Sequence, residues 1–156
     1  MTYIGQMLLE APTTDGKLAR AVADAFGVHR VAVWPMSQVL EFEAGVIVQY
    51  AAQRGDFPVL LRITAMPGSG IETKLSDEQF IERLRSIARS LDQFVLTDDA
   101  GVDPFQYEDF LLVAPDGKTI VVVADEDALN ENRIELTPAS QGRRDDLARH
   151  VAAASA

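Results

Sequence analysis

The side chains most able to do chemistry in this chain are carboxylates gathered in one stretch. Residues 92–135 contain twelve Asp and Glu residues but only two basic ones, Lys118 and Arg133. This stretch by itself accounts for the formal net charge of −10 of the whole chain. Carboxylates at such density attract cationic groups, so the chemistry they favour is recognition of a basic partner. The simpler alternative is a charged face that only keeps the protein in solution.

Two aromatic residues interrupt the acidic stretch. Phe105 and Tyr107 lie in the polar segment 103–109, just before an apolar run. Aromatic side chains inside a charged rim are typical of protein-binding hot spots, but the same side chains would equally serve to anchor the segment to the core. Both interpretations stay open at this point. The predicted partner-binding residues are Asp98, Asp99, Asp103, Phe105, Tyr107, Glu108, Asp109, Asp125, Glu126, Asp127 and Glu131.

Metal binding by these carboxylates is not supported by their spacing. If Asp125 is aligned as the first position of an EF-hand loop, the sixth position has Asn130 where the sharp turn needs Gly. The twelfth position has Leu136 in place of the bidentate Glu. We therefore predict a solvated acidic loop after a strand at 125–132 and no metal. Asp98, Asp99 and Asp103 are typical of turns, where carboxylates cap backbone groups.

Catalytic signatures are missing from the sequence. The two histidines, His29 and His150, have neither metal-ligand spacing nor a nearby nucleophile. No serine lies in a Gly-x-Ser-x-Gly elbow, and the glycines of 67–70 form neither a phosphate loop nor a dinucleotide fingerprint. We therefore predict no cofactor and no catalytic residue, and we favour a protein that is not an enzyme.

Length and composition are those of one folded domain. The chain has 156 residues, of which 47% are hydrophobic and 24% charged, so it can bury a sizeable core. A pI near 4.5 argues against binding to nucleic acid or to an acidic membrane surface. The longest apolar runs have five residues, far fewer than the roughly 20 that span a bilayer. With no cysteine and no signal-peptide pattern, the chain fits a cytoplasmic protein.

Two helices are well marked at both of their ends. In the predicted helix 77–91, Ser76 and Gln79 form a capping box, and apolar residues recur at helical spacing. The predicted helix 15–26 starts after a threonine N-cap and ends at a glycine. A third helix is predicted over 138–156, where few large apolar side chains are available to anchor it, so we expect it to fray.

Strands are predicted where β-branched and aromatic residues cluster between turn signals. The clearest pair is a hairpin, because Ala114-Pro115-Asp116-Gly117 is a turn sequence between two apolar runs. Residues 37–52 are ambiguous, since their apolar residues also fit a helical period, although Gly45 favours a strand. The predicted strands are 28–34, 45–52, 57–65, a short one at 94–96, 109–113 and 118–124.

These elements predict an α+β fold. We expect a single domain over residues 1–156, with a mainly antiparallel sheet and two or three helices packed on it, in the order α-β-β-β-α-β-β-α. This order resembles that of the dimeric type III secretion chaperones. The resemblance implies a dimeric protein that binds another protein, but it assigns no binding residues in this chain. Both hairpin strands are apolar on both faces, so a second subunit could cover the face that the helices leave open.

Three hypotheses of different classes follow. The first is a non-enzymatic acidic protein-binding module, like a bacterial immunity protein or a secretion chaperone, that presents residues 92–135 to a basic protein. The second is a small-molecule-binding domain or small enzyme whose site residues are dispersed in the sequence. The third is a homodimer in which acidity serves solubility alone. Candidates for the dispersed site are His29, Asp98, Asp99, Asp103 and Tyr107.

Overall fold

A computed structural model of the chain describes residues 1–38 and 45–155. Within these residues there are four helices and nine strands. The helices are α1 (Asp15–Phe26), α2 (Asp77–Leu91), α3 (Glu126–Asn130) and α4 (Pro138–Ser155). The strands are β1 (Thr2–Leu9), β2 (Val31–Pro35), β3 (Val46–Ala52), β4 (Arg54–Gly55), β5 (Val59–Ala65), β6 (Val95–Thr97), β7 (Asp109–Val113), β8 (Thr119–Val123) and β9 (Arg133–Ile134).

Seven of these strands form one sheet, in the order β2-β3-β5-β1-β6-β7-β8, and the short strands β4 and β9 pair separately. Neighbours in the large sheet are antiparallel, except that β2 and β3 are parallel. The predicted α+β class with a mainly antiparallel sheet is confirmed. The predicted order of elements is incomplete, because it lacks β1, which lies at the centre of the sheet, as well as α3 and the short strands β4, β6 and β9. Strand β6 itself corresponds to the short strand predicted at 94–96, which that order does not count.

Strand β1 lacks the alternation of apolar and polar residues by which a half-buried strand is recognised. Its two faces are both covered, since Met7 belongs to one core layer and Leu8 to the other. A bulge between Tyr3 and Gly5 further interrupts the two-residue period. Gly5 also lets α2 approach closely, because a Cβ atom at this position would lie 2.5 Å from Cζ of Phe80. A strand with this pattern is hard to recognise from sequence.

The ends of α1 and α2 are as predicted. Ser76 Oγ accepts from the Gln79 N–H at 3.2 Å and Gln79 Oε1 accepts from the Ser76 N–H at 3.0 Å, which completes the capping box. Thr14 caps α1, and Gly27 follows its last turn in the left-handed conformation, at φ 64°. Because each end carries its own local signal, neither helix depends on tertiary contacts for its boundaries.

Two core layers cover the two faces of the sheet. Helices α1 and α2 pack on one face, while residues of β9 and α4, including the buried Leu147, pack on the other. In the hairpin formed by β7 and β8, Leu111 belongs to the first layer and Leu112 to the second. The chain itself therefore covers both faces of β7, whereas Val121 of the edge strand β8 is 40% exposed. A homodimer stays a prediction.

Two further expectations changed in the structure. Residues 125–132 are not a plain loop, because Glu126–Asn130 form the short helix α3, for which Asp125 is the N-cap. Of the ambiguous residues 37–52, Val46–Ala52 form a strand, and residues 39–44 lie outside the described part. No helix among the described residues is long and apolar enough to cross a membrane.

Candidate functional site

The sheet topology brings most of the predicted partner-binding residues to one end of the molecule. Strands β6, β7 and β8 are consecutive and antiparallel, with Thr97 opposite Leu111 and Asp109 opposite Val123. The end of β6, the start of β7 and the end of β8 therefore meet. Segments 98–99 and 103–109 and residues 125–127 lie at this end of the sheet, which we call the acidic end. Glu131 does not, because the adjacent Asn132 and Arg133 contact Gln53 and Arg54 in the turn between β3 and β5, at the opposite end of the sheet.

Asp99 holds β1 to the turn after β6. Its Oδ2 accepts hydrogen bonds from the Tyr3 hydroxyl and from the Gln6 backbone N–H, both at 2.7 Å. The buried Thr97 hydroxyl donates to the Gln6 carbonyl at 2.8 Å and accepts from the Asp99 N–H at 3.1 Å. Partial burial, followed by the hydrogen bond to Asp99, raises the pKa of Tyr3 well above its usual value. This carboxylate is thus used for structure.

Asp98 has a different environment from its neighbour. Its carboxylate is solvent-exposed and has one long hydrogen bond, from Gln6 Nε2 to Oδ1 at 3.5 Å. It nevertheless sits at the mouth of a concave region, where protein atoms replace part of its hydration. This partial desolvation, and then the charge of Asp99, raise the pKa of Asp98 above its usual value. Asp98 therefore carries a negative charge that the fold does not compensate.

Three other carboxylates at the acidic end make local hydrogen bonds. Asp103 Oδ1 accepts from the Phe105 N–H at 2.9 Å, in the turn role predicted for it. Asp125 Oδ1 accepts from the Asp127 N–H at 3.2 Å as the cap of α3. Glu126 accepts from the Tyr107 hydroxyl at 2.7 Å, and this bond raises the pKa of Tyr107 to about 12.

The two aromatic residues do not anchor the segment in the core. The side chain of Phe105 is 90% exposed, and that of Tyr107 is 58% exposed. Of the two interpretations left open by the sequence, core anchoring is therefore wrong for Phe105. Tyr107 is fixed at its hydroxyl by Glu126, while Phe105 projects from the surface between Asp103 and Glu108 in the chain.

Few of these carboxylates are paired with cations. Glu131 forms an ion pair with Arg133 at 2.8 Å, and Arg133 also binds Glu135. The hydrogen bond from Arg133 to Glu131 is the main reason that the pKa of Arg133 is raised. Within the described ranges, no Lys or Arg nitrogen lies within 4.0 Å of the carboxylates of Asp98, Asp99, Asp103, Glu108, Asp109, Asp125, Glu126 or Asp127.

A cavity of about 370 Å³ opens beside Asp98. It lies between the face of the sheet and the segment that runs from α3 to β9. Its lining combines apolar and polar side chains, and it contains no basic residue among those described. The lining residues are Gln6, Leu8, Gln53, Leu60, Asp98, Tyr107, Phe110, Leu129, Asn130 and Ile134.

The dispersed catalytic site is not assembled. Asp98 and Tyr107 both line the cavity, but His29 is exposed and precedes β2, which is separated from β6 by strands β3, β5 and β1. At about 4.8 Å between neighbouring strands, that separation is roughly 19 Å. His150 is exposed on α4. Among residues 1–38 and 45–155, no group of three or more acidic or histidine side chains is arranged to hold a metal ion.

Sequence reasoning missed the polar residues that belong to β1 and to the cavity. Tyr3 and Gln6 come from a strand without a clear pattern, and Gln53 follows β3 at the turn into β4. The only signal was an uncharged polar residue, Gln6, inside an apolar run, where a buried polar group usually has a hydrogen-bond partner.

Comparison with known proteins identifies no relative from which a function could be inferred. The chain matches no protein-family model, no curated protein and no solved structure. Its function is therefore inferred from the charges, exposed side chains and cavity at the acidic end.

Proposed function

We propose that this protein is a non-enzymatic module that binds a basic protein through the acidic end of its sheet. The observation that carries the proposal is the 90% exposed side chain of Phe105, which lies among carboxylates that have no cationic partner within the described residues. An exposed large aromatic side chain contributes little to folding. At the centre of an interface, by contrast, aromatic side chains commonly dominate the binding energy.

The carboxylates support the same conclusion from their energetics. Like charges at one end of a sheet repel one another, so the fold gains no stability from gathering them. A positively charged partner would reverse the sign of that interaction and would be steered towards this end during diffusion. The charge and the aromatic side chain then have complementary roles, the first in association rate and specificity and the second in affinity.

The surface is also held in place before a partner arrives. The Asp103 side chain fixes the turn that presents Phe105, and the Tyr107 hydroxyl is tied to Glu126. Asp99 joins the turn after β6 to the central strand β1. Because these contacts already restrict the segment, binding would lose less conformational entropy than with a free loop.

The test uses the full chain as bait and compares Phe105→Ala with Val121→Ala. Val121 is an exposed apolar residue of β8, 40% accessible, and serves as the matched control. Proteins captured at low salt should be basic, and their affinity, measured after purification, should fall by more than about tenfold in Phe105→Ala, as at a hot spot. High salt, which shortens the Debye length to about 3 Å at 1 M, should also weaken capture.

Two outcomes speak against this function. One is a set of partners that Phe105→Ala and Val121→Ala retain equally. The other is capture that does not change between low and high salt, because an interface built on carboxylates that have no cationic partner in the described part of the chain must be salt-dependent. Both variants should keep the unfolding midpoint of the wild type, since each truncates an exposed side chain.

Small-molecule binding is the second candidate, and the cavity is the observation in its favour. Its volume of about 370 Å³ lies near the lower limit of ligand pockets, roughly 300 Å³. Polar groups from five segments line it, and converging polar groups are a common feature of such pockets. A small ligand that binds equally well in Phe105→Ala would favour this candidate over the first.

A further inference from the structure

The cavity beside Asp98 is lined by groups that can accept hydrogen bonds and, in the part of the chain that the structure describes, by no Lys or Arg side chain. Gln6 Nε2 lies 3.5 Å from Asp98 Oδ1, and Gln53 Nε2 donates to the Asn132 carbonyl at 3.0 Å. With the amino group of each amide directed to another oxygen, the carbonyl oxygens of Gln6 and Gln53 are left as acceptors. Together with the Asp98 carboxylate, they favour an occupant that carries several donors and a positive charge.

The rest of the lining selects the shape of that occupant. Leu60 forms the accessible apolar part of the lining, since Leu8 and Phe110 are only 2% and 4% exposed, and Tyr107 adds an exposed aromatic ring. A hydrocarbon stem gains from burial on such a surface. A guanidinium group combines a planar fork of five donors with a preference for stacking on aromatic rings, whereas an ammonium group is compact and strongly hydrated.

We propose that the cavity receives an arginine side chain of the partner, with its guanidinium at Asp98 and its methylene stem on Leu60. This inference rests on the proposed function, because the partner supplies the side chain. The size of the cavity, about 370 Å³, suits one long side chain better than a large ligand. The incoming cation would also compensate the charge of Asp98, whose pKa is raised by partial desolvation and by the charge of Asp99.

The experiment is an NMR titration of the full chain with N-acetyl-arginine-N-methylamide, a model of an arginine residue within a peptide. The matched probe is the citrulline analogue, which has nearly the same shape but no charge. We expect saturable shifts of the amides of Gln6, Leu8, Leu129 and Asn130, with a dissociation constant on the order of 1 mM. The citrulline probe should bind about tenfold more weakly.

Variants assign the binding to the cavity. Asp98→Asn should weaken the arginine probe by about tenfold, because the charge is lost while the shape is kept. Asp116→Asn, in the hairpin turn where Asp116 pairs with Lys118, is the control and should bind like the wild type. Leu129→Phe fills the cavity from α3 and should also weaken binding, which gives a second variant independent of charge.

Several results would overturn the inference. These are equal binding of the two probes, shifts confined to residues far from the cavity, or unchanged affinity in Asp98→Asn. A captured partner whose affinity is insensitive to Asp98→Asn also overturns it, but leaves the proposed function in place. Phe105→Ala should still bind the arginine probe, so loss of function at Phe105 alone is distinguishable from failure of the cavity.

Discussion

At the end of the sheet opposite the acidic end, Arg144 of α4 binds Glu10 after β1, with Nε 3.0 Å from Oε2, and lies 4.6 Å from the centroid of the Phe94 ring. Arg85 Nε donates to the Gly117 carbonyl at 3.0 Å, in the hairpin turn. At the acidic end, by contrast, Asp98 and the carboxylates of 103–109 have no such cation in the described residues. At one end of the sheet charged side chains bind other groups of the fold, whereas at the acidic end the carboxylates remain available to solvent or to a partner.

This difference explains how an acidic protein of this size can both fold and present charge. At the end opposite the acidic end, the contacts of Arg144 and Arg85 tie α4 and α2 to the rest of the fold. The acidic end is held by hydrogen bonds to backbone groups and hydroxyls, which do not neutralise its charge. Stabilising the fold and presenting negative charge to a partner are thereby assigned to different carboxylates.

The largest expected effect on stability comes from removing the hydrogen bonds by which Asp99 holds β1. Asp99→Ala removes the acceptor of both the Gln6 N–H and the Tyr3 hydroxyl and should lower the free energy of unfolding by about 2 kcal/mol. Urea unfolding followed by circular dichroism measures it. Asp103→Ala, which loses one hydrogen bond in an exposed turn, is the control and should cost less than about 1 kcal/mol. Equal effects of the two variants would contradict a structural role for Asp99.

The next largest effect is expected at the end of the sheet opposite the acidic end, where Arg144 binds Glu10. Arg144→Ala removes the ion pair with Glu10 and the contact with the Phe94 ring, and we expect a loss of about 1–2 kcal/mol in thermal or urea unfolding. Arg149→Ala is matched to it on the same helix, because Arg149 has only an exposed pair with Asp146 and should change stability by less than about 0.5 kcal/mol. If both variants behave alike, charge pairing does not anchor α4.

The smallest expected effect is a stabilisation, and it distinguishes Asp98 from the neighbouring Asp99. Because the pKa of Asp98 is raised in the folded state, its charge destabilises the fold above that pKa, and the penalty vanishes below the unfolded value of 3.8. Asp98→Asn should therefore raise the free energy of unfolding slightly at neutral pH, by less than about 1 kcal/mol, and leave it unchanged at pH 3, as urea unfolding at the two pH values would measure. Destabilisation at neutral pH would show that Asp98 is structural like Asp99.

Sequence reasoning succeeded wherever the signal is local. The capping box of Ser76 and Gln79 defined α2, and the turn Ala114-Pro115-Asp116-Gly117 defined the β7–β8 hairpin, because each depends on neighbouring residues alone. It failed at β1, a bulged strand covered on both faces, and at α3, a helix of five residues. The bulge and the burial of both faces remove the two-residue alternation from β1, and five residues are too few for α3 to show a helical repeat.

The candidate site divides in the same way. Composition located the acidic stretch and its aromatic residues, and the Asx turn at Asp103 followed from its neighbours. The different roles of Asp98 and Asp99 could not be predicted from the sequence, because the two residues are adjacent and chemically identical. Only the position of β1 decides that Asp99 meets the Gln6 N–H while Asp98 faces the cavity.

The amino-acid sequence by itself determined the sign and amount of charge, the helices α1 and α2 and the hairpin, since these depend on composition and on contacts within a few residues. The tertiary structure alone decided which carboxylates stay unpaired, where Phe105 points and that a cavity exists beside Asp98. The physical reason is the antiparallel order of β1, β6, β7 and β8, which joins segments up to about 100 positions apart at one end of the sheet.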